Sequence, residues 1–135
     1  MGNRAVIGFL SKEGIKNKDS VGIYLHWNGG RDSVEGFLAT AKQYGVRTNE
    51  DYGVARLIQI IANTLGGTLS LGVDQIKKLD CDNYDNGLYW VDNNFNIVGR
   101  EYNKNEEQTE YPLEDFIKHC KKANDSHFIE KYKDD

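Results

Sequence analysis

The sequence has little of several features that would place it in a specialised class. It contains two cysteines, Cys81 and Cys120, at no paired spacing, which excludes a disulfide-rich scaffold and predicts reduced, structural thiols. No stretch approaches the ~18 apolar residues of a membrane span, and the first residues lack the apolar core of a signal peptide. Val6 stands where N-myristoylation at Gly2 would need serine or threonine. We therefore expect a cytosolic protein without a membrane anchor.

An excess of positive charge is also absent. The chain has 21 acidic and 17 basic side chains, a net charge of -4, which argues against direct binding to a nucleic-acid backbone. With 135 residues, of which 39% are hydrophobic, it can bury one apolar core. We predict a single globular domain over residues 1–135, with a frayed tail over about residues 124–135.

Hydrophobic periodicity and turn residues predict about five strands and three helices. The predicted strands are Arg4–Leu10, Val21–Trp27, Thr68–Val73, Leu88–Val91 and Phe95–Tyr102. The predicted helices run from Asp32 to before Gly45, from Thr48 or Asp51 to Leu65, and from Pro112 to Lys122. This order indicates an α+β fold with a mixed or mainly antiparallel sheet.

The segment Asn28-Gly29-Gly30-Arg31-Asp32-Ser33 joins the second strand to the first helix. Asp32 and Glu35 have the spacing of a capping box, which would begin the helix there. A strand, a glycine turn and a helix N-terminus together can hold a phosphate, although they also make an ordinary β-α connection. Arg31 favours anion binding, because its guanidinium offers a fork of donors matched to phosphate.

The same segment resembles the SGGxDS loop of the PP-loop ATP pyrophosphatases, with Asn28 in place of the first serine. The resemblance implies a phosphate site at Gly29, Gly30, Asp32 and Ser33. That family alternates strands and helices in a larger parallel sheet, whereas here two predicted helices follow in succession. We therefore expect anion binding without pyrophosphatase chemistry.

Arg56, in an apolar helix, and Arg100, at the end of a hairpin, are further candidates. An arginine in such surroundings needs a carboxylate or a ligand anion, so a salt bridge is the alternative to a site. If these arginines converge with Arg31 and with aromatic rings, the pocket would bind phosphates and stack a base. The predicted ligand-binding residues are Trp27, Asn28, Gly29, Gly30, Arg31, Asp32, Ser33, Arg56, Tyr84, Trp90 and Arg100.

No catalytic or metal constellation can be assigned. The acidic segment from Asp80 fails the EF-hand pattern, because Tyr84 stands at the fifth position and Val91 at the twelfth. The histidines show no metal spacing, and His119 and Cys120 are helix neighbours that point in different directions. We predict no enzyme activity, no metal and no cofactor.

Three segments, MGNRAVIGF, GIYLHWNGGRDSVEGFL and DNYDNGLYWV, resemble small uncharacterised proteins of phages and mobile elements of low-GC Gram-positive bacteria. The resemblance implies an anti-defence protein in the host cytoplasm. Our first hypothesis is a homo-oligomer that sequesters a nucleotide immune signal of the cyclic nucleotide or cyclic ADP-ribose type. Its partner would alternatively be a host defence protein, such as a CRISPR nuclease inhibited by an acidic nucleic-acid mimic. A nucleotide-processing enzyme is the second alternative.

Overall fold

The computed structural model describes residues 3–47, 51–66, 70–103 and 112–128. The strands in these ranges are β1 (Ala5–Phe9), β2 (Val21–Leu25), β3 (Leu71–Gln75), β4 (Leu88–Val91) and β5 (Ile97–Glu101). The helices are α1 (Arg31–Gln43), α2 (Asp51–Leu65) and α3 (Leu113–Phe128), with a single 3-10 turn at Ile76–Lys78 after β3.

The strands form one mixed sheet in the order β3-β2-β1-β4-β5. β1 is parallel to β4, and the remaining neighbours are antiparallel. The predicted α+β fold with a five-stranded sheet and three helices is therefore confirmed. Because β1 is antiparallel to β2 and parallel to β4, the start of β1, the end of β2 and the start of β4 lie at the same end of the sheet. The Asn28–Ser33 segment begins at this end of the sheet.

One face of the sheet, here called the helix face, carries the main core. Ala5, Ile7 and Phe9 alternate along β1 and are buried in the same cluster as the apolar stripes of the helices. Phe37 of α1 and Phe116 of α3 meet edge to face there, with ring centroids 5.3 Å apart. The period of two in the strand and 3.6 in the helices thus brings the apolar residues together.

The opposite face carries a smaller core. Val6, Leu88 and Trp90 point away from the helices and are covered by Ile76 of the 3-10 turn. Every residue of β1 is buried as a result, because the strand lies mid-sheet with apolar cover on both faces. Because both faces of β1 are buried, its sequence is a continuous apolar run rather than an alternation of apolar and polar residues.

The predicted end of α1 before Gly45 is confirmed, since Gln43 is the last helical residue. Gly45 has a φ of +71°, and its amide donates to the Lys42 carbonyl while the Val46 amide donates to that of Ala41. These two bonds form a Schellman motif, in which a left-handed residue satisfies the last carbonyls. The glycine is required because other side chains resist that conformation.

The β4–β5 hairpin differs from the prediction at its turn. Phe95 lies in the turn with a φ of +63°, and β5 begins only at Ile97. The reason is the Asp92 carboxylate, whose Oδ1 accepts hydrogen bonds of 2.9 Å from the amides of Asn94 and Asn96. A side-chain cap of this kind widens the turn beyond what the turn residues alone indicate.

The last helix is longer than predicted. It continues to Phe128, and Asn124, where the frayed tail was expected to begin, is fully buried. Residues 129–135 and the proposed cap Thr48 lie outside the described residues. No helix in the described ranges combines the length and the apolar character needed to cross a bilayer.

Candidate functional site

The glycine turn packs tightly against the start of β1. The Gly29 amide donates to the Asn3 carbonyl at 2.8 Å, and the Gly29 carbonyl accepts a 2.7 Å hydrogen bond from the Tyr89 hydroxyl. A β-carbon at Gly29 would come within 2.5 Å of the Asn3 oxygen. Gly29 is therefore required by close backbone approach, and both of its polar backbone groups bond within the protein.

The first turn of α1 differs from the predicted capping box. The N-cap is Gly30, which has no side-chain cap, and Glu35 pairs with Arg31 at 2.8 Å instead of reaching back. Asp32 lies inside the helix, where its Oδ1 accepts a 2.8 Å bond from the Ser33 amide, and both residues are buried. The prediction was wrong because the chain enters the helix before Asp32. A native carboxylate thus carries the negative charge that a helix N-terminus favours.

Arg31 lines a groove between α1 and β5, here called the α1–β5 groove. Its volume is about 330 Å³. Arg31, Glu35, Leu38 and Lys42 line it from one side of α1, and Ile97 contributes from β5. The helical residues recur at intervals of three or four, as one stripe of a helix does. The groove therefore combines two cationic side chains, one ion-paired carboxylate and an apolar floor.

Arg100 belongs to the same face of the sheet as the glycine turn. It pairs with Tyr89 across β4 and β5, and its guanidinium lies 3.8 Å from the centre of the Tyr89 ring. Its Nη2 donates a 2.6 Å hydrogen bond to the Asn86 carbonyl. Because the hydroxyl of the same tyrosine bonds Gly29, Tyr89 connects Arg100 to the turn.

Other predicted residues lie apart from Arg31. Trp90 occupies the opposite face of the sheet, where its indole N–H donates to Glu101 at 2.6 Å. Tyr84 is 69% exposed in the loop before β4, and Arg56 of α2 lies over the Tyr52 ring at 5.6 Å. Trp27 precedes the turn, is 45% exposed, and its ring lies perpendicular to that of His26, with the centroids 5.2 Å apart. The described contacts therefore do not form one pocket from all the predicted residues.

Sequence reasoning missed Lys42 and Tyr89. Lys42 lies eleven positions after Arg31, which is three helical turns, so the helical period would have placed both on one stripe. Tyr89 was missed because Tyr89 and Trp90 are neighbours in a strand and must face opposite sides of the sheet. The sequence pattern does not show which of the two side chains faces the helices.

The neighbouring residues His119 and Cys120 do not form a nucleophile and base pair in the structure. Burial raises the pKa of the Cys120 thiol, and Cys120 is fully buried while His119 is exposed, so the two do not share an accessible site. Burial likewise raises the pKa of the Cys81 thiol. Within the described ranges, no three histidine, cysteine or acidic side chains lie close enough to hold a metal ion.

Two carboxylates, Asp85 in the loop before β4 and Glu101 at the end of β5, predict that the stability of the protein is sensitive to acid. Burial would raise the pKa of Asp85, but the Arg4 guanidinium and backbone amide outweigh this and lower it. The Trp90 indole, with help from Lys18, lowers the pKa of Glu101. A carboxylate whose pKa is lowered on folding stabilises the protein above its unfolded pKa of about 4, and this stability is lost as the pH falls further.

We therefore expect the free energy of unfolding to fall as the pH drops below about 4. Urea denaturation between neutral and acidic pH would measure it. The Asp85→Asn and Glu101→Gln double variant should be less stable at neutral pH and show a shallower decline. A decline parallel to that of the wild type would contradict this assignment.

Comparison with known proteins gives no relative. No protein-family model, curated protein or solved structure matches the chain.

Proposed function

We propose that the protein binds a small phosphate-containing ligand in the α1–β5 groove, without catalysis. The observation that supports this proposal is that Arg31 and Lys42 line one groove together with the apolar side chains of Leu38 and Ile97. A guanidinium can take two phosphate oxygens, and an ammonium adds a further point charge. The apolar floor suits the ring of a nucleotide. A volume of about 330 Å³ is within the size range of small-molecule sites.

The resemblance to phage proteins supports nucleotide immune signals as the ligand class to be screened first. In this proposal the protein is an anti-defence binder that sequesters a cyclic nucleotide or a cyclic ADP-ribose isomer. The groove lies at the lower end of ligand-site volumes, so the proposal includes a homo-oligomer in which a second copy helps to enclose the ligand. Light scattering after size-exclusion chromatography measures the number of copies.

The first test is thermal and urea unfolding with mono-, di- and cyclic nucleotides and cyclic ADP-ribose isomers. A ligand at 100 times its dissociation constant should stabilise the protein by ~2.7 kcal/mol. Arg31→Ala should weaken binding about ten- to a hundredfold, because a charged hydrogen bond is lost. Arg31→Lys should recover only part of it, since the fork of donors is absent.

The matched control is Lys77→Ala. Lys77 is an exposed cation of the 3-10 turn that pairs with Asp19, so its loss changes the net charge equally but leaves the groove intact. Equal weakening by Lys77→Ala and Arg31→Ala would show nonspecific attraction and contradict the proposal. A flat response to the whole panel would also contradict it and would favour the protein-inhibitor hypothesis. Recovery of chemically changed ligand would favour an enzyme instead.

A further inference from the structure

A second cavity lies where the glycine turn meets the end of α2 and the first turns of α3. Its volume is about 360 Å³. The lining residues are Asn28, Thr64, Leu65, Asp115, Phe116 and His119. None of them lines the α1–β5 groove. The two cavities are therefore separate in their residues, and no lysine or arginine of the described ranges lines the second one.

The hydrogen-bonding groups of this cavity are mainly acceptors. The Asp115 carboxylate can only accept hydrogen bonds when ionised. The Thr64 hydroxyl donates to the Ile60 carbonyl at 2.7 Å and accepts from the Asn124 amide at 3.2 Å, so it has no proton left to donate to a ligand. Asn28 and a neutral His119 each offer one donor and one acceptor group. A fitting ligand must therefore be rich in N–H donors.

The same wall disfavours a phosphate. Its described lining holds a carboxylate and neither lysine nor arginine, so an anion that enters it would be repelled rather than paired. Its apolar part is the side chain of Leu65 and the ring of Phe116, which is 4% exposed and held edge to face by Phe37. Because Phe116 exposes so little of its ring, the apolar contact with a ligand falls mainly on Leu65, which is partly exposed.

We propose that this cavity binds a neutral heterocycle whose edge carries N–H donors, with the guanine base of a guanosine as the preferred ligand. Guanine presents a ring N–H beside its 2-amino group, and this pair of donors matches the two oxygens of the Asp115 carboxylate. Asn28 and His119 bond the remaining polar atoms of the base, and Leu65 packs against its ring. The volume of about 360 Å³ accommodates a nucleoside.

The test is NMR titration of the whole protein with guanosine and with inosine, which lacks only the 2-amino group. Guanosine should shift the ring C–H signals of His119 saturably and leave those of His26 unchanged. Inosine should bind about ten- to a hundredfold more weakly, as expected when a hydrogen bond to a charged group is lost. No His119 shift, or equal affinities for the two nucleosides, would overturn the proposal.

Variants of α3 give the matched comparison. Asp115→Asn should abolish the preference for guanosine over inosine. Glu114→Gln removes the same charge from the adjacent exposed position, outside the cavity, and should preserve the preference. An equal loss in both variants would assign the effect to net charge and overturn the proposal.

The inference does not rest on the proposed function. Neither nucleoside carries a phosphate, so Arg31→Ala should leave guanosine binding unchanged. If the protein binds nucleotides through Arg31 but guanosine does not shift the His119 signals, the first proposal is supported and this one is contradicted. If guanosine shifts the His119 signals but no nucleotide binds through Arg31, only the guanosine proposal is supported.

Discussion

Replacement of Gly87 by alanine is expected to lower the free energy of unfolding by about 2–5 kcal/mol. Gly87 has a φ of +68° immediately before β4, a conformation that costs an L-residue roughly 1–2 kcal/mol. A β-carbon there would also lie 2.2 Å from the Glu101 carbonyl oxygen and 2.5 Å from the Tyr102 carbonyl carbon. Leu88 pairs with Glu101 in the sheet, so relief of the clash must disturb the β4–β5 ladder.

Gly45→Ala separates the two costs. Gly45 has nearly the same φ, +71°, but among the described residues, apart from its chain neighbours, no atom lies within 4 Å of a β-carbon built there. It should lose only about 1–2 kcal/mol, the cost of the left-handed conformation. Urea denaturation of both variants measures the difference. Equal losses of unfolding free energy in the two variants would show that the backbone around Gly87 moves without cost, and they would contradict a contribution from the close contact with Glu101.

Replacement of Asn124 by aspartate is expected to lower the free energy of unfolding by at least about 3 kcal/mol. Asn124 is fully buried, and its Nδ2 donates to the Cys120 carbonyl at 2.8 Å and the Ile60 carbonyl at 3.3 Å. Its Oδ1 accepts a 2.9 Å bond from Asn63. Aspartate has almost the same shape but puts a carboxylate oxygen against those two carbonyls, so the loss measures electrostatics rather than packing.

The pH dependence of this variant gives a second measurement. Burial against carbonyl oxygens raises the pKa of a carboxyl group, and protonation restores one donor. The stability lost at neutral pH should therefore be partly regained as the pH falls through the raised pKa. Asn94→Asp, at an exposed position of the β4–β5 turn, is the control for the added charge. Similar losses in the two variants would contradict a special role for the buried amide.

Much of the fold could be predicted because its signals are local. The first strand, the glycine at the end of α1 and the apolar stripe of α2 each depend on residues a few positions apart. The capping box at Asp32 was a wrong prediction for the same reason, since its spacing was present but the chain begins the helix earlier. Phe95 was misplaced because the Asp92 carboxylate widens the turn.

The candidate site was less predictable. Arg31 was identified from its neighbours, but its groove depends on how α1 lies against β5. Asn28 was predicted as part of a phosphate loop, whereas the structure places it in a cavity with Asp115 and His119, far along the chain. Trp90 was grouped with Arg31, although the strand register turns it to the opposite face of the sheet.

Residue order alone thus specified the α+β class, the approximate elements and the glycine turn before α1, since periodicity and turn chemistry act over one or two turns of chain. Packing decided which residues share a cavity, which face Trp90 and Tyr89 take, and that Asn124 is buried rather than part of a tail. The physical reason is that these outcomes depend on strand register and helix contacts between residues distant in sequence, which no local pattern encodes.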